Sequence, residues 1–377
     1  MRSISNTAAF VATLASVGGV KALPSSTTNP CYVTEYTAVP AAVASCTDIT
    51  LDGIHVPGGQ TLDLTALKDG TTVTFAGTTT FGFEEANYNL IEASGTDVTI
   101  TSKPGAVLNG NGQAWWDGLG SNGGLTKPDH FFVVSNMKGS STVRDLYIEN
   151  YPVHCFEVTY CVGLVMENIV INNSAGNAPN NRSDGLPAAH NSDGFDVSSC
   201  NDTIIRNNWV SNQDDCVAIT SGVGVTVSGM YCYNSHGLSI GSVGGKSNNV
   251  VENIIFQDSV CNQCQNGVRI KTNADTTGYI SNVTYSNIGI VNASTYGLDI
   301  QQDYLNGGPT GVPTNGVIIT DITMKNIIGT AAKDADDYYI LCGDGSCSNF
   351  YFENVHIVGG DNSSCNYQPQ GNFVCSH

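Results

Sequence analysis

Asn191-Ser192-Asp193-Gly194-Phe195-Asp196-Val197, Gln213-Asp214-Asp215-Cys216-Val217-Ala218-Ile219, Ser235-His236-Gly237-Leu238-Ser239-Ile240 and Gly267-Val268-Arg269-Ile270-Lys271 share one pattern. Each holds an apolar-x-apolar core, Phe195/Val197, Val217/Ile219, Leu238/Ile240 and Val268/Ile270, at intervals of 22, 21 and 30 residues. Counted from the first apolar residue, Asp193, Asp215 and His236 stand two places before it, Asp214 three before and Arg269 one after. A rising parallel coil with that period stacks these side chains into one patch.

The same alternation recurs along the chain from about Val143. One series of short runs reads Leu146-Tyr147-Ile148, Ile169-Val170-Ile171, Trp209-Val210-Ser211, Tyr231-Cys232-Tyr233 and Ile255-Phe256-Gln257. A second interleaves with it: Phe156-Glu157-Val158, the four cores above, Leu298-Asp299-Ile300 and Tyr339-Ile340-Leu341. One rung cannot bury its inward side chains alone, whereas stacked rungs make a continuous apolar column. The fold class read from this is all-β, a parallel β-helix in one domain over residues 31–377. A doubly wound α/β fold needs amphipathic helical stretches between the strands, and the C-terminal two thirds has none. Asp63-Leu64-Thr65-Ala66-Leu67-Lys68-Asp69-Gly70 is expected to form a helical turn capping the coil, with the strands beginning over Thr71 to Phe81.

Composition supports this and narrows the partners. Only 12% of the 377 residues are charged, beside 42 glycines, which suits a turn-rich strand protein. A net charge of −19 with no basic run argues against nucleic acid as a partner. Met1-Arg2, an apolar small-residue stretch from Ala8 to Val20, and Val20-Lys21-Ala22 read as a secretory signal over residues 1–22, then a short pro-segment over 23–30. No other stretch approaches the about 18 apolar residues of a membrane span. The chain is therefore expected to be secreted, and to act as a monomer.

In an oxidising compartment, 13 cysteines imply disulfides, with one thiol left over by parity. Separations favour local bridges of Cys31 with Cys46, Cys216 with Cys232, Cys342 with Cys347 and Cys365 with Cys375. Cys155, Cys161, Cys200, Cys261 and Cys264 remain, with Cys155 and Cys161 read as adjacent-rung candidates. No Cys/His spacing suits zinc, so neither a metal nor a cofactor is expected. Sequons at Asn172, Asn181, Asn201, Asn282, Asn292 and Asn362 are candidate glycosylation sites on exposed turns.

Paired carboxylates on an outward strand surface suit glycosidic hydrolysis, in which one carboxyl is protonated while another is ionised. Asp193 and Asp215 converge on a water, while Asp214, the sequence neighbour of Asp215, points to another side and faces the leaving oxygen. Repulsion among three acids raises at least one pKa, and His236 tunes the proton. Arg269 and Lys271 form a cationic pair suited to a carboxylate-bearing substrate. Taken singly, Asp193 and Asp215 also fit turn residues, His236 a buried histidine, Arg269 a salt bridge to Asp299, and the acids a calcium site; their common phase favours a joint use.

The strings Asn191-Ser192-Asp193, Gln213-Asp214-Asp215, Ser235-His236-Gly237 and Arg269-Ile270-Lys271 resemble the four signature motifs of the polygalacturonases, glycoside hydrolase family 28. Trp115-Trp116-Asp117-Gly118 and Gln301-Gln302-Asp303-Tyr304 resemble segments of the fungal secreted endo-acting members. The resemblance implies a right-handed parallel β-helix that hydrolyses α-1,4 bonds of polygalacturonate with inversion and without metal. It implies Asp214 as general acid, Asp193 and Asp215 as activators of the water, and His236 as support for the acid. Substrate would be held by Arg269, Lys271, Asn191 and Tyr304, and the local cysteine pairs resemble the family's disulfides. Inversion implies acid and base carboxyls roughly 6.5–9.5 Å apart. Two departures stand out: Ser192 for the usual Thr, keeping the hydroxyl, and Ser235 for the usual Gly, expected to add a side chain beside the acid. The alternatives are a calcium-dependent pectate lyase on the same coil with Arg269 as base, and a non-catalytic carbohydrate-binding β-helix.

Overall fold

Period-two alternation decides which way each short strand faces. In the computed structural model, which describes residues 29–305 and 308–375, every inward position of the four quoted cores is fully buried. The strands stack in parallel as a right-handed β-helix. The signal expected over 1–22 lies outside the described residues, as does the 23–30 pro-segment except for its last two residues.

One 12-stranded sheet carries the second series. Its parallel register pairs Phe132 with Phe156, Phe156 with Phe195, Phe195 with Val217, Val217 with Leu238, Leu238 with Val268, and Val268 with Leu298. Loop insertions therefore change the interval along the chain without breaking the phase. The column is tightly filled: the Phe132 and Phe156 rings stack at 5.3 Å and those of Phe156 and Phe195 at 5.2 Å.

The first series is two columns, not one. Met166, Ile205, Val227, Phe256 and Tyr285 stack in one, and Ile171, Val210, Cys232, Cys261 and Ile290 in the other. The corner between them is a single residue per rung. Asp145, Asn168, Asn207, Gly229, Asp258, Asn287, Asn326 and Asn354 all take left-handed backbone with φ between 52° and 62°, a conformation open to Gly, Asn and Asp. The asparagines also bond from rung to rung, Asn326 Nδ2 to Asn287 Oδ1 at 3.0 Å and Asn354 Nδ2 to Asn326 Oδ1 at 2.8 Å. So short a corner leaves no gap in the sequence to mark a third face.

The helical cap lies elsewhere than expected. Leu62–Leu64 is a strand with Leu62 and Leu64 buried, and strands begin earlier than residue 71, at Tyr32–Val33 and Asp48–Asp52. The helix is Val39–Ser45, after a 3-10 turn over Tyr36–Ala38. Pro40 sits in its first turn, where the missing N–H has no partner to lose. Val39, Ala42 and Val43 are buried against the first strands, closing the open end of the column.

The cysteine pairs favoured by spacing are disulfides. Cys31 is bonded to Cys46, Cys216 to Cys232, Cys342 to Cys347 and Cys365 to Cys375. The bridge of Cys31 and Cys46 ties the first strand to the end of the helix, and those of Cys342 with Cys347 and Cys365 with Cys375 close loops beside the last rungs. The other five cysteines are buried thiols. Cys155 and Cys161 are not adjacent-rung partners: they belong to one strand, His154–Thr159, and the turn after it. Cys161 instead stands beside Cys200 of the next rung, donating its backbone N–H to Cys200 Sγ at 3.4 Å. Five of the six sequon asparagines are exposed; Asn172 is half-buried, and its amide donates to Tyr147 Oη at 3.2 Å. Among the described residues no helix is long and apolar enough to cross a membrane.

Candidate active site

The outward face of the 12-stranded sheet floors a cleft of about 480 Å³ lined by Asp193, Asp214, Asp215, Asn191, Lys271 and Tyr304 among others. Asp193 precedes the strand Phe195–Ser198, and Asp214 and Asp215 precede Val217–Ile219, so register places them on neighbouring rungs. One carboxylate oxygen from each of the three lies within 4.8 Å of the others. That is the rung spacing of a β-sheet, and it is shorter than the separation expected for acid and base. Nor do Asp214 and Asp215 face different sides: they sit in a bend before the strand, and both line the cleft.

Asp214 is gripped from three directions. His236 Nδ1 lies 2.9 Å from Oδ1, the Asp215 N–H donates to Oδ1 at 2.9 Å, and Asn191 Nδ2 donates to Oδ2 at 3.2 Å. His236 is thus no buried core histidine but the partner of the acid. Asn191, expected only to bind substrate, also aims Asp214. Asp215 has both oxygens engaged, Oδ1 by Ser239 Oγ at 2.6 Å and Oδ2 by Lys271 Nζ at 2.7 Å. Behind them, Ser192 Oγ donates to Gln213 Oε1 at 2.8 Å and accepts the Gln213 N–H at 2.8 Å, so the hydroxyl retained at that position braces the rung. Ser235 is turned otherwise than expected: its buried hydroxyl lies 3.3 Å from Cys264 Sγ and accepts the Gly237 N–H at 3.1 Å, rather than standing beside the acid.

The disulfides support the cleft from different distances. The bond of Cys216 with Cys232 anchors the residue that follows Asp215, whereas Cys31, Cys46, Cys342, Cys347, Cys365 and Cys375 do not line the cleft and serve the two ends of the coil.

These contacts divide the carboxyls electrostatically. Burial pushes Asp193 well above the usual carboxylate range, helped by Asp196, Asp214 and Asp215 and opposed by Lys271. Burial would raise Asp214 too, but His236, Lys271 and the Asp215 amide outweigh it and hold that carboxyl well below the range. Burial lowers His236, yet Asp214 and Asp215 raise it above the ordinary imidazole value. Asp193 is thus biased toward its protonated form, while Asp214 and His236 favour one shared proton over two.

Arg269 and Lys271 are buried and paired within the protein. Arg269 Nε lies 2.9 Å from Asp299 Oδ2, the salt bridge left open by the sequence. Tyr304 covers both cations, with its ring centroid 5.4 Å from Arg269 Cζ and 5.2 Å from Lys271 Nζ. Burial lowers the Arg269 pKa, but Asp299 and Asp215 more than restore it, so the guanidinium stays charged. Its ion pair with Asp299 counts against the base role that the elimination reading gives it.

Sequence reasoning missed two histidines in the same column. His154 stands two places before Phe156 and His130 two before Phe132, the phase of Asp193 and Asp215, and register pairs the two. Both line the cleft, with Glu157, Asp196 and Lys246. The phase count that located the acids, carried two rungs upstream, reaches both.

The family model for glycosyl hydrolases family 28 matches residues 46–375. The chain is 55% identical over 342 residues to a probable endopolygalacturonase D of Aspergillus oryzae, which covers 90% of this chain and 69% of that protein. It is 54% identical over 352 residues to a polygalacturonase of Fusarium fujikuroi, covering 92% of this chain and 94% of that one. Among solved structures, endopolygalacturonase I from Stereum purpureum complexed with two galacturonate superposes with a TM-score of 0.75 at 31% identity, over 88% of this chain and 95% of that one.

Proposed function

The chain belongs to the glycosyl hydrolases of family 28, and on that premise we propose that it cleaves α-1,4-galacturonosyl linkages within polygalacturonate by general acid/base hydrolysis. Asp214 delivers the proton it shares with His236 to the leaving oxygen. Asp193 and Asp215 hold the attacking water, and Asp193 takes its proton. Arg269 and Lys271, beneath Tyr304, receive a substrate carboxylate on one side of the cut. The observation that carries this reading is the meeting of three acids, from two adjacent rungs, within 4.8 Å.

Inversion remains the stereochemical reading despite the close spacing. Asp215 has both oxygens occupied by Ser239 and Lys271, so it is not a free carboxylate placed to attack carbon. Asp193, on the adjacent rung, reaches the same water and takes its proton once ionised. The enzyme is proposed to act as a secreted monomer on pectin outside the cell, with sugar on some of the exposed sequons.

Brief digestion of polygalacturonate by purified enzyme, with chelator present, tests the reading. Reducing ends should appear as short oligomers without ultraviolet-absorbing unsaturated products, and proton NMR should show the β anomer first. Unsaturated products, or activity abolished by the chelator, would overturn hydrolysis; the α anomer appearing first would overturn inversion.

A further inference from the structure

Upstream of the acids, two histidines share one carboxylate. His130 and His154 are register partners on adjacent strands, with ring centroids 5.0 Å apart. Asp129 lies between them: His130 Nδ1 is 3.5 Å from its Oδ2, and His154 Nδ1 is 3.4 Å from its Oδ1. One donor atom from each of the three lies within 4.8 Å of the others.

Hydrogen bonding explains this arrangement poorly. Good N–H···O bonds span about 2.7–3.2 Å, and His154 Nδ1, shut away from solvent, has only the longer 3.4 Å approach to Asp129 Oδ1. Tetrahedral zinc, with bonds of about 2.0–2.1 Å to imidazole and carboxylate, sets neighbouring ligand atoms about 3.3–3.4 Å apart. The separations of 3.4 and 3.5 Å, taken to the two oxygens of one carboxylate, lie close to that edge. One far nitrogen matches as well, since metal-bound imidazoles commonly turn their second N–H to a carboxylate: His130 Nε2 lies 3.1 Å from Glu157 Oε2. His154 Nε2 faces Asp193 Oδ1 at 3.8 Å, beyond a hydrogen bond.

We propose that Asp129, His130 and His154 form a binding site for a divalent transition ion of the zinc type, and that an ion held there inhibits the enzyme. The site lies on the side of the acids away from Arg269 and Lys271, on the floor of the cleft that the polymer must cross. Asp129 keeps 45% of its side chain exposed, leaving a route for the ion and a face for a fourth ligand. Two imidazoles and one carboxylate favour zinc, cobalt or nickel over calcium, which prefers oxygen. An ion there obstructs the sugars upstream of the cut and draws His154 away from Asp193. The catalytic step itself needs no metal.

Isothermal titration calorimetry with zinc chloride on the intact enzyme reads binding without reference to activity. One zinc per chain is expected, weakened about tenfold or more by His154→Gln and by the exposed change Asp129→Asn. It should be retained in His236→Gln, which separates this site from the Asp214–His236 pair, and calcium should not compete. Zinc should inhibit the wild type at concentrations that leave Asp129→Asn unaffected. Absence of stoichiometric zinc binding, or binding unchanged in both ligand variants, would overturn the site. Binding without inhibition would overturn the inhibitory role.

Discussion

Lys271 Nζ donates to Asp215 Oδ2 at 2.7 Å, although two rungs of the coil separate their backbones. The long side chain reaches back down the outward face, past the rung of Ser239, which holds the other Asp215 oxygen. Both partners are almost fully buried, at 7% and 3% side-chain exposure, so each depends on the other for its charge. Removing one member of such a pair leaves an uncompensated buried ion. Lys271→Met should therefore lower kcat as well as substrate affinity, by about a hundredfold or more in kcat/KM, and lower the thermal midpoint. Lys271→Arg should recover part of the stability. Steady-state kinetics beside calorimetry checks this, and a change confined to KM would reduce Lys271 to a substrate ligand.

In the proposed mechanism Asp214 supplies the proton to the leaving oxygen, a contribution typically worth about 10²–10⁴ in rate. Asp214→Asn keeps the side chain's shape and its contact with Asn191 but carries no transferable proton. Its kcat should fall by about that factor while binding of polygalacturonate, measured by calorimetry, stays near wild type. Equal losses in binding and turnover would point to a collapsed cleft instead.

The pH profile follows from the two raised groups. Asp193, faced by Asp196, Asp214, Asp215, His154 and Lys271, has its pKa raised, so the base form appears only as pH climbs above the usual carboxylate range. His236 is also raised, so the proton it shares with Asp214 is kept to higher pH than in free imidazole and lost beyond that. In chelator, kcat/KM should be bell-shaped between these limits. His236→Gln should alter the alkaline limb and leave the acid limb in place; movement of the acid limb alone would reverse the assignment.

The column beneath the cleft predicts a coupling of stability to function. Phe156 is fully buried between Phe132 and Phe195. Phe156→Ala should cost about 3–5 kcal/mol by denaturant unfolding, because a stacked rung cannot collapse around the cavity. Since Phe156 lies directly beneath the strand that follows Asp193, activity should fall as well, though less than in Asp214→Asn.

The sequence carried the catalytic sheet almost completely, because inward residues recur at a fixed phase whatever the loop length. Phe195, Val217, Leu238 and Val268 mark the floor, and Asp193 and Asp215, two places before the first two, mark the cleft. The third face was illegible because its corner is one residue wide, visible only as the spaced run of Asp145, Asn168, Asn207 and their fellows. The terminal helix was misplaced because Asp63 to Gly70 has turn-forming ends, whereas Leu62 and Leu64 follow the period of two. Contacts that depend on side-chain reach, such as Lys271 to Asp215 or the inward turn of Ser235, have no counterpart in spacing.

The central claim is that Asp193 and Asp214, 21 positions apart in the chain, work as one unit on one linkage. A double-mutant cycle on kcat with Asp193→Asn, Asp214→Asn and the pair tests it most directly, because residues acting in one step are strongly non-additive. The double variant should be little worse than the poorer single variant. Losses that multiply would mean the two acids act independently, and would contradict the account.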